Sequence, residues 1–261
     1  MDLAGRIRSI EDLKKHKNAF FADALQSIDV FKYARAPVIH KVVFQEGDLT
    51  VLRIGVERDL QRQRRDFIRE AVENWPDTWV VFDNRPSVQK CVIQRHGGFQ
   101  KTQTVAKVLE ENINKWIQRY QLASVFEPIY SKNVFWDLVH QFTGRLTQIE
   151  FELISPNMSN LSDSLTLDLA SLNRETNTQR TKLQLNSDPE SALTPTEKDT
   201  LIAGLVDYAS KGGGDITLRA RGVKRKMHTA KGITETSIDE VELQGKNAAD
   251  LAKVFRKLVG E

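Results

Sequence analysis

KGGGDITLRARGVKRKMHTAK, residues 211–231, is the stretch from which the fold of the C-terminal half can be predicted. Apolar and polar residues alternate from Asp215 to Arg221, and successive side chains of a strand point to opposite faces, so this pattern predicts a β-strand. The glycines before it predict the end of a helix, and Gly222 predicts a turn after it. The residues expected to face a core are Ile216, Leu218 and Ala220, and those expected to face outward are Thr217, Arg219 and Arg221.

Positive charge is concentrated in the same stretch. Seven of its residues are Lys or Arg and one, Asp215, is acidic, whereas the net charge of the whole chain is only +3. Concentrated positive charge on a strand or hairpin is typical of a surface that binds phosphates. A solvated strand face is the alternative, since exposed Lys and Arg occur on any protein surface. The predicted DNA-binding residues of this stretch are Arg219, Arg221, Lys224, Arg225 and Lys226.

A second basic stretch, residues 53–69, predicts a further phosphate-binding surface. From residue 59 onward its apolar positions indicate a helix, and arginines at three- or four-residue spacing would share one stripe of it. Arginines stacked in this way repel one another unless an anion lies alongside, although a solvated helix face is the commoner explanation. The arginines of the predicted stripe are Arg58, Arg62, Arg65 and Arg69.

Length and composition bound the class of protein. The chain has 261 residues, of which 40% are hydrophobic and 28% are charged, as is ordinary for a globular protein with a real core. Cys91 is the only cysteine, so no internal disulfide can form, and a reducing, cytoplasmic setting is expected. The charged N-terminus lacks the apolar core of a signal peptide, and no apolar run reaches the ~18–20 residues that span a membrane.

The order of the predicted elements indicates an α+β fold, with two mixed α/β lobes and largely antiparallel sheets. The first lobe is residues 1–130, and the second, residues 145–261, carries the basic strand and its hairpin. Turn residues and a proline place the boundary between residues 124 and 144. Predicted helices span residues 7–28, 59–72, 105–122, 134–142, 165–172, 194–209 and 248–259. Predicted strands span residues 38–44, 49–56, 79–82, 88–93, 124–130, 145–154, 181–185, 215–221 and 237–243.

The segment GGDITLRARGVKRKMHT, followed by a spacer and a C-terminal helix, resembles the end of the RexA-like phage exclusion proteins. Residues 126–153 and 78–98 can be laid alongside the same family, whereas the first 60 residues show no match. The resemblance implies a dimer-forming, DNA-binding sensor that excludes superinfecting phage together with a membrane partner. Arg219 and Arg221 lie at matching positions, and residues 224–226 are more basic than the family pattern.

An enzyme is the alternative function. Glu150 and Glu152 share a strand face but lack the following lysine of a D…ExK metal nuclease. The five histidines show no pair at ligand spacing, so neither a metal nor another cofactor is predicted. No GxSxG pattern supports a Ser/His/Asp hydrolase, although triad members can come from anywhere in a chain.

The sequence therefore predicts a non-enzymatic, largely sequence-independent double-stranded DNA-binding protein of an anti-phage defence system. Its expected partner is the DNA backbone, and a homo-oligomer and a membrane-protein partner follow from the resemblance, without direct membrane insertion. A metal-dependent nuclease or another defence effector enzyme, and a module that binds an acidic protein, stay open as alternatives.

Overall fold

The computed structural model describes residues 7, 9–34, 36–58, 60–95, 99, 101–155, 169–176, 178–237 and 248–260. The fold is α+β, as predicted, and every strand pairing among these residues is antiparallel. The chain divides into two compact units: unit 1 is Met1–Phe126 with Ser237–Glu261, and unit 2 is Glu127–Thr236. No helix in the described part of the chain is long and apolar enough to cross a membrane.

The helices and strands follow the chain in an order that mixes the two types. Unit 1 contains α1 (Ile10–Ser27), β1 (Val30–Tyr33), β2 (Ala36–Glu46), β3 (Leu49–Val56), β4 (Leu60–Gln63), β5 (Arg69–Val72), β6 (Asp77–Asp83), β7 (Lys90–Ile93) and α2 (Thr102–Ile117). Unit 2 contains α3 (Asn133–Gln141), β8 (Leu146–Ile154), α4 (Leu169–Thr176), β9 (Arg180–Asn186), α5 (Thr200–Tyr208), β10 (Gly214–Ala220) and β11 (Met227–His228). The last helix, α6 (Ala248–Val259), returns to unit 1.

Unit 1 is built on a five-stranded sheet of order β1-β2-β3-β6-β7. The apolar residues of α2 recur every three or four positions, so Leu109 and Ile113 pack with Leu52 and Ile54 on one sheet face. On the other face, residues of α6 pack against β3 and β6. Because helices cover both faces, β3 is buried at every position except Arg53 and reads as a nearly continuous apolar run.

The packing of α6 distinguishes the observed units from the predicted lobes. Residues 248–259 were predicted to belong to the C-terminal lobe, whereas Phe255 and Val259 pack on Leu49, Val51 and Val81 of unit 1. Burying one phenylalanine side chain contributes about 1.5–3 kcal/mol. The hydrophobic stripe of the helix was visible in the sequence, but the sheet that it covers was not.

Unit 2 is built on a four-stranded sheet of order β11-β10-β8-β9. Phe151 of β8 and Ile216 and Leu218 of β10 face a core that Phe135 of α3 and Leu205 of α5 complete. The alternate residues of the same strands are polar and make up the opposite face of the sheet, which is called here the polar face. This arrangement places the basic strand at the centre of a sheet with one apolar and one polar side.

Among the elements predicted from residue 124 onward, two differ markedly from the structure and two fall partly outside the described residues. Residues 124–130 form no strand, and Tyr130 makes an isolated bridge with Ile233. The helix predicted from residue 194 begins at Thr200, because the Asp199 carboxylate accepts a 2.9 Å hydrogen bond from the Thr196 amide and closes a turn there. The second strand predicted near residues 237–243 falls mostly outside the described residues, as does the start of the helix predicted at 165–172.

Candidate nucleic-acid interface

A two-stranded hairpin, defined as the arm (residues 57–73), continues the pairing of β3 and β6 beyond the sheet. The two strands pair as far as Gly55 and Asp77, and the Arg58 amide then donates a 3.0 Å hydrogen bond to the Asn74 carbonyl. β4 and β5 pair farther out in the same register. Every described residue of the arm is exposed. At about 3.3 Å per residue, the arm extends roughly 25 Å beyond Arg58.

A tight turn closes the tip of the arm. The Phe67 amide donates a 3.0 Å hydrogen bond to the Arg64 carbonyl, and the Arg64 amide donates a 2.9 Å bond to the Ile68 carbonyl. The Asp66 carboxylate accepts a 3.3 Å bond from the Ile68 amide. Phe67 has φ 64°, a left-handed conformation that hairpin turns normally assign to glycine. A side chain in this conformation costs about 1–2 kcal/mol, so the tip stores strain.

The distal half of the arm carries most of its positive charge. Residues 62–69 contain Arg62, Arg64, Arg65 and Arg69 with one acidic residue, Asp66. The Arg64 Nε lies 4.0 Å from the Asp66 carboxylate. Within the described part of the chain, no carboxylate forms an ion pair with the other three arginines. Their guanidinium groups are therefore exposed and available to an anion.

The predicted helix over residues 59–72, with its stripe of four arginines, is wrong. Arg62 lies opposite Glu70 and Arg69 lies opposite Gln63, in neighbouring pairs of a β-ladder. Neighbouring pairs point to opposite faces of a ribbon, so Arg62 and Arg69 lie on different faces. Arginines at three- or four-residue spacing fit a helix stripe, but they fit a hairpin equally well when every side chain is exposed. Arg58 lies at the base of the arm, apart from the other three.

The apolar residues at the tip were missed by the sequence analysis as a functional feature. Phe67 is 82% exposed and Ile68 is 58% exposed. In the sequence they fit the apolar side of the predicted helix, which assigned them to a core. Asp66 was the available signal, because Asp is a turn former whose carboxylate bonds to a backbone amide two residues later.

The second predicted surface lies in unit 2, on β10 and the turn that follows it. The strand is confirmed: Ile216 and Leu218 are buried, and Arg219 is exposed. Thr217, which was predicted to face outward, is only 8% exposed, because β11 pairs with β10 at this residue and places His228 opposite it. Gly222 has φ 76°, as the predicted turn requires.

The five basic residues of unit 2 that were predicted to bind DNA differ in their contacts. Arg221 follows the end of β10, and its Nη2 donates a hydrogen bond to the Ser191 carbonyl. Lys226 is half-buried, with its Nζ 3.8 Å from the Glu150 carboxylate. The other three, Arg219, Lys224 and Arg225, are exposed and form no ion pair with any described residue. Arg221 and Lys226 thus have structural contacts, and the remaining three cations are available to a ligand.

An acid–imidazole pair lies on the polar face. The Asp215 Oδ2 is 2.9 Å from His228 Nδ1, and Asp215 Oδ1 accepts hydrogen bonds from the Ile216 and Ala230 amides at 2.8 and 3.1 Å. The hydroxyl of Thr229 donates to the same oxygen at 3.1 Å. The His228 side chain is 42% exposed. A carboxylate that orients a solvent-accessible imidazole is an arrangement that general acid–base catalysis uses. This pair was not predicted from the sequence, because hairpin pairing brings together residues 13 positions apart.

The acidic residues considered for a nuclease are engaged by cations. Glu152 accepts a contact of 3.0 Å from Lys182 Nζ and one of 2.9 Å from Arg180 Nη1. The hydrogen bond from Lys182 holds the pKa of Glu152 below its usual range, against the opposing effect of burial and with help from Arg180. Glu150 contacts both Lys182 and Lys226. No group of three or more His, Cys, Asp or Glu in the described residues could hold a metal ion.

The described geometry therefore offers two exposed basic surfaces, the distal arm of unit 1 and the β10 turn of unit 2. Comparison of the chain with protein-family models, with curated proteins and with solved structures finds no match. The resemblance to the RexA-like exclusion proteins stays a prediction. Support for a function comes from the geometry of the exposed basic residues.

Proposed function

We propose that this chain binds double-stranded DNA through the phosphate backbone, with the arm of unit 1 as its main contact. The observation that carries the proposal is the set of three exposed arginines on the arm that lack an ion-pair partner among the described residues: Arg62, Arg65 and Arg69. Guanidinium groups bind phosphate oxygens in a planar, two-pronged geometry, and each contact releases a counterion from the duplex. Although Glu70 lies opposite Arg62, the four arginines of residues 62–70 outnumber the two acidic residues there, and an exposed cluster of this kind favours a polyanion as its ligand.

The shape of the arm favours a duplex. A two-stranded β-ribbon can lie in a groove of B-DNA, and protein ribbons of this kind use either the major or the minor groove. Arg62 and Arg69 lie on opposite faces of the ribbon, so each can reach one of the phosphate rows that border a groove. Phosphate contacts of this kind position the protein without selecting a base sequence. The binding is therefore largely independent of sequence.

The second basic surface lies in unit 2 and makes a separate contribution to DNA binding. Arg219, Lys224 and Arg225 form an exposed group on and after β10. Replacing all three with alanine should weaken DNA binding further without changing the fold, since their side chains have no described ion-pair partner. Arg221 and Lys226 are less suitable test positions, because their contacts with Ser191 and Glu150 are structural.

The test is a fluorescence-anisotropy titration of a labelled duplex at several salt concentrations. The triple variant Arg62→Ala, Arg65→Ala, Arg69→Ala should lower the slope of log K against log salt by about 1 for each arginine removed. The control is Lys101→Ala, Lys107→Ala, Lys115→Ala, which removes the same charge from exposed positions in and beside α2. Equal losses of duplex affinity and of salt slope in the two triple variants would overturn the proposal. Absence of duplex binding by the wild type at low salt would also overturn it.

A second candidate function is a hydrolytic enzyme that acts as an effector of an anti-phage defence system. The Asp215–His228 pair favours this function. Incubation of plasmid DNA with the protein and a divalent metal separates the two functions. Cutting by the wild type that His228→Ala abolishes supports the effector enzyme. An uncut plasmid that is nonetheless bound supports the binding protein.

The homo-oligomer and the membrane-protein partner that the resemblance implies belong to the same proposal. Light-scattering mass with and without duplex DNA tests the first of these. A mass of one chain in both conditions would overturn the homo-oligomer and leave the DNA-binding proposal standing.

A further inference from the structure

The tip of the arm presents two adjacent apolar side chains to water. Phe67 is the most exposed large hydrophobic residue in the described part of the chain, at 82%, and Ile68 follows it at 58%. Neither belongs to a hydrophobic core cluster of the described residues. A phenylalanine exposed at the end of a hairpin lacks the favourable free energy that burial of its ring would contribute. Phe67 and Ile68 are therefore a candidate contact for a ligand.

The turn holds this apolar tip in one conformation. Three hydrogen bonds among Arg64, Asp66, Phe67 and Ile68 close it, and Phe67 occupies the left-handed region at φ 64°. Glycine would adopt this conformation without strain. Backbone strain of this kind, stored at an exposed site, is an indication of function. A bulky aromatic residue therefore occupies the one turn position where it is least favourable for folding.

The charges around the tip identify the kind of ligand. Arg62 and Arg69 lie on opposite faces of the ribbon, directly behind the turn. A matching ligand has anionic groups on both sides of an apolar interior, and duplex DNA has phosphates outside and stacked bases inside. A flat anionic bilayer would contact one face of the ribbon more than the other. An apolar groove on a protein would not require, on both faces of the ribbon, arginines that lack an ion-pair partner among the described residues.

We propose that Phe67, supported by Ile68, is a wedge that inserts between stacked base pairs and kinks the duplex that the arm binds. This inference rests on the proposed DNA-binding function and adds a deformation of the DNA to it. Apolar side chains that enter a base step from the minor groove partly unstack it and bend the duplex by about 20–90°. Flexible pyrimidine–purine steps and mismatches unstack at the lowest cost, so the wedge selects deformable DNA without reading base edges.

The experiment measures bending and binding separately on one duplex. A duplex with a donor dye at one end and an acceptor dye at the other reports bending by energy transfer, and anisotropy reports affinity. Phe67→Ala should abolish the increase in energy transfer and weaken binding about tenfold, while the salt slope stays that of the wild type, because the arginines remain. Phe67→Leu should keep part of the bend. Val72→Ala is the matched control, because Val72 is an exposed apolar residue of the same arm away from the tip.

A second readout is preference for a mismatched over a matched duplex. The wild type and Val72→Ala should prefer the mismatch, and Phe67→Ala should lose the preference. Unchanged bending in Phe67→Ala overturns the wedge and leaves DNA binding intact, whereas absence of wild-type binding at low salt overturns both. Loss of binding to phosphatidylserine vesicles, or of a homodimer, in Phe67→Ala without any change in DNA bending also overturns the wedge and assigns the tip to that other contact.

Discussion

The backbone amide of Phe67 donates a 3.0 Å hydrogen bond to the carbonyl of Arg64, and this bond holds an aromatic residue at φ 64° at the end of the arm. Because glycine has no Cβ, Phe67→Gly should relieve about 1 kcal/mol of strain and stabilise the closed turn. Amide hydrogen exchange measures this locally, since the arm can open without global unfolding. We expect about fivefold greater protection of the Arg64 amide, which donates to Ile68.

Phe67→Ala is the control for this prediction, because it removes the ring and keeps the Cβ. Its protection at Arg64 should stay near the wild-type value. Equal protection in the glycine and alanine variants would show that the turn is not strained at Phe67.

Asp83 is a buried carboxylate whose charge Arg85 compensates. Its side chain is 1% exposed, and its Oδ2 lies 2.6 Å from Arg85 Nη2. Burial acts to raise the pKa of Asp83, but the hydrogen bonds and charge of Arg85 outweigh it and lower the pKa overall. Its stabilising contribution is therefore present at pH 7 and is lost as the pH falls through the folded-state pKa, below about 3.9.

Arg85→Ala should leave that carboxylate buried without its hydrogen-bonded cation, although the charge of Arg256 remains, and it should lower the free energy of unfolding at pH 7 by about 2–4 kcal/mol. Urea denaturation measures the change. Arg53→Ala is the comparison, because its ion pair with Asp77 is half exposed and should contribute less than about 1 kcal/mol. Similar losses in the two variants would contradict the prediction.

His40 should make unit 1 less stable in mild acid. Burial lowers the pKa of His40, and the Leu25 carbonyl and the Asp29 carboxylate offset this only in part. Its ring is stacked on Phe31 with 4.1 Å between centroids. The unfolded chain therefore binds a proton more readily than the folded one. Stability should be full above the unfolded pKa of about 6.5 and should fall as the pH drops toward the lower folded-state pKa.

His40→Phe keeps a stacked ring and removes the titration. Thermal melts of wild type and variant between pH 7 and pH 5 should show a shallower acid dependence for the variant. Parallel acid profiles would exclude His40 as the titrating group.

Gly214 lies where β10 meets β8, and no side chain fits there. A Cβ on Gly214 would be 1.9 Å from the Glu152 carbonyl, and its φ is 141°. Gly214→Ala should break the strand pairing and lower the free energy of unfolding of unit 2 by about 4 kcal/mol or more, the range of clashes that shift backbone. Denaturation followed by tryptophan fluorescence measures the loss.

Gly144→Ala separates steric clash from backbone strain. Gly144 has φ 72° and nothing within 4 Å of an added Cβ, so only strain of about 1 kcal/mol is expected. A Gly214→Ala variant no less stable than Gly144→Ala would contradict the close packing of β10 on β8.

Helices and strands that bury one regular face could be predicted from their local sequence, because their apolar residues recur with the period of the element. The alternation of Ile216 and Leu218 indicated a strand because the apolar face of β10 is buried. The three- and four-residue spacing of Val105, Val108 and Leu109 indicated α2 in the same way, because a stripe of this width covers a sheet. The C-terminal helix, residues 248–259, was predicted with the observed bounds.

The arm could not be predicted in this way, because all its described side chains are exposed and no buried face selects a period. The spacing of Arg58, Arg62, Arg65 and Arg69 satisfied a helix, and the actual structure depends on backbone bonds between β4 and β5 and on the register that β3 and β6 extend. The exposed Phe67 followed from that hairpin and had no separate signature.

Local patterns in the chain established the α+β class, the segments that bury an apolar face and the concentration of cations at residues 211–231. Long-range packing decided that α6 covers the sheet of unit 1, that Asp215 meets His228, and that the second group of arginines lies on an exposed hairpin. The physical reason is that periodicity records which side of an element avoids water, whereas pairing partners are selected by contacts between segments distant in sequence.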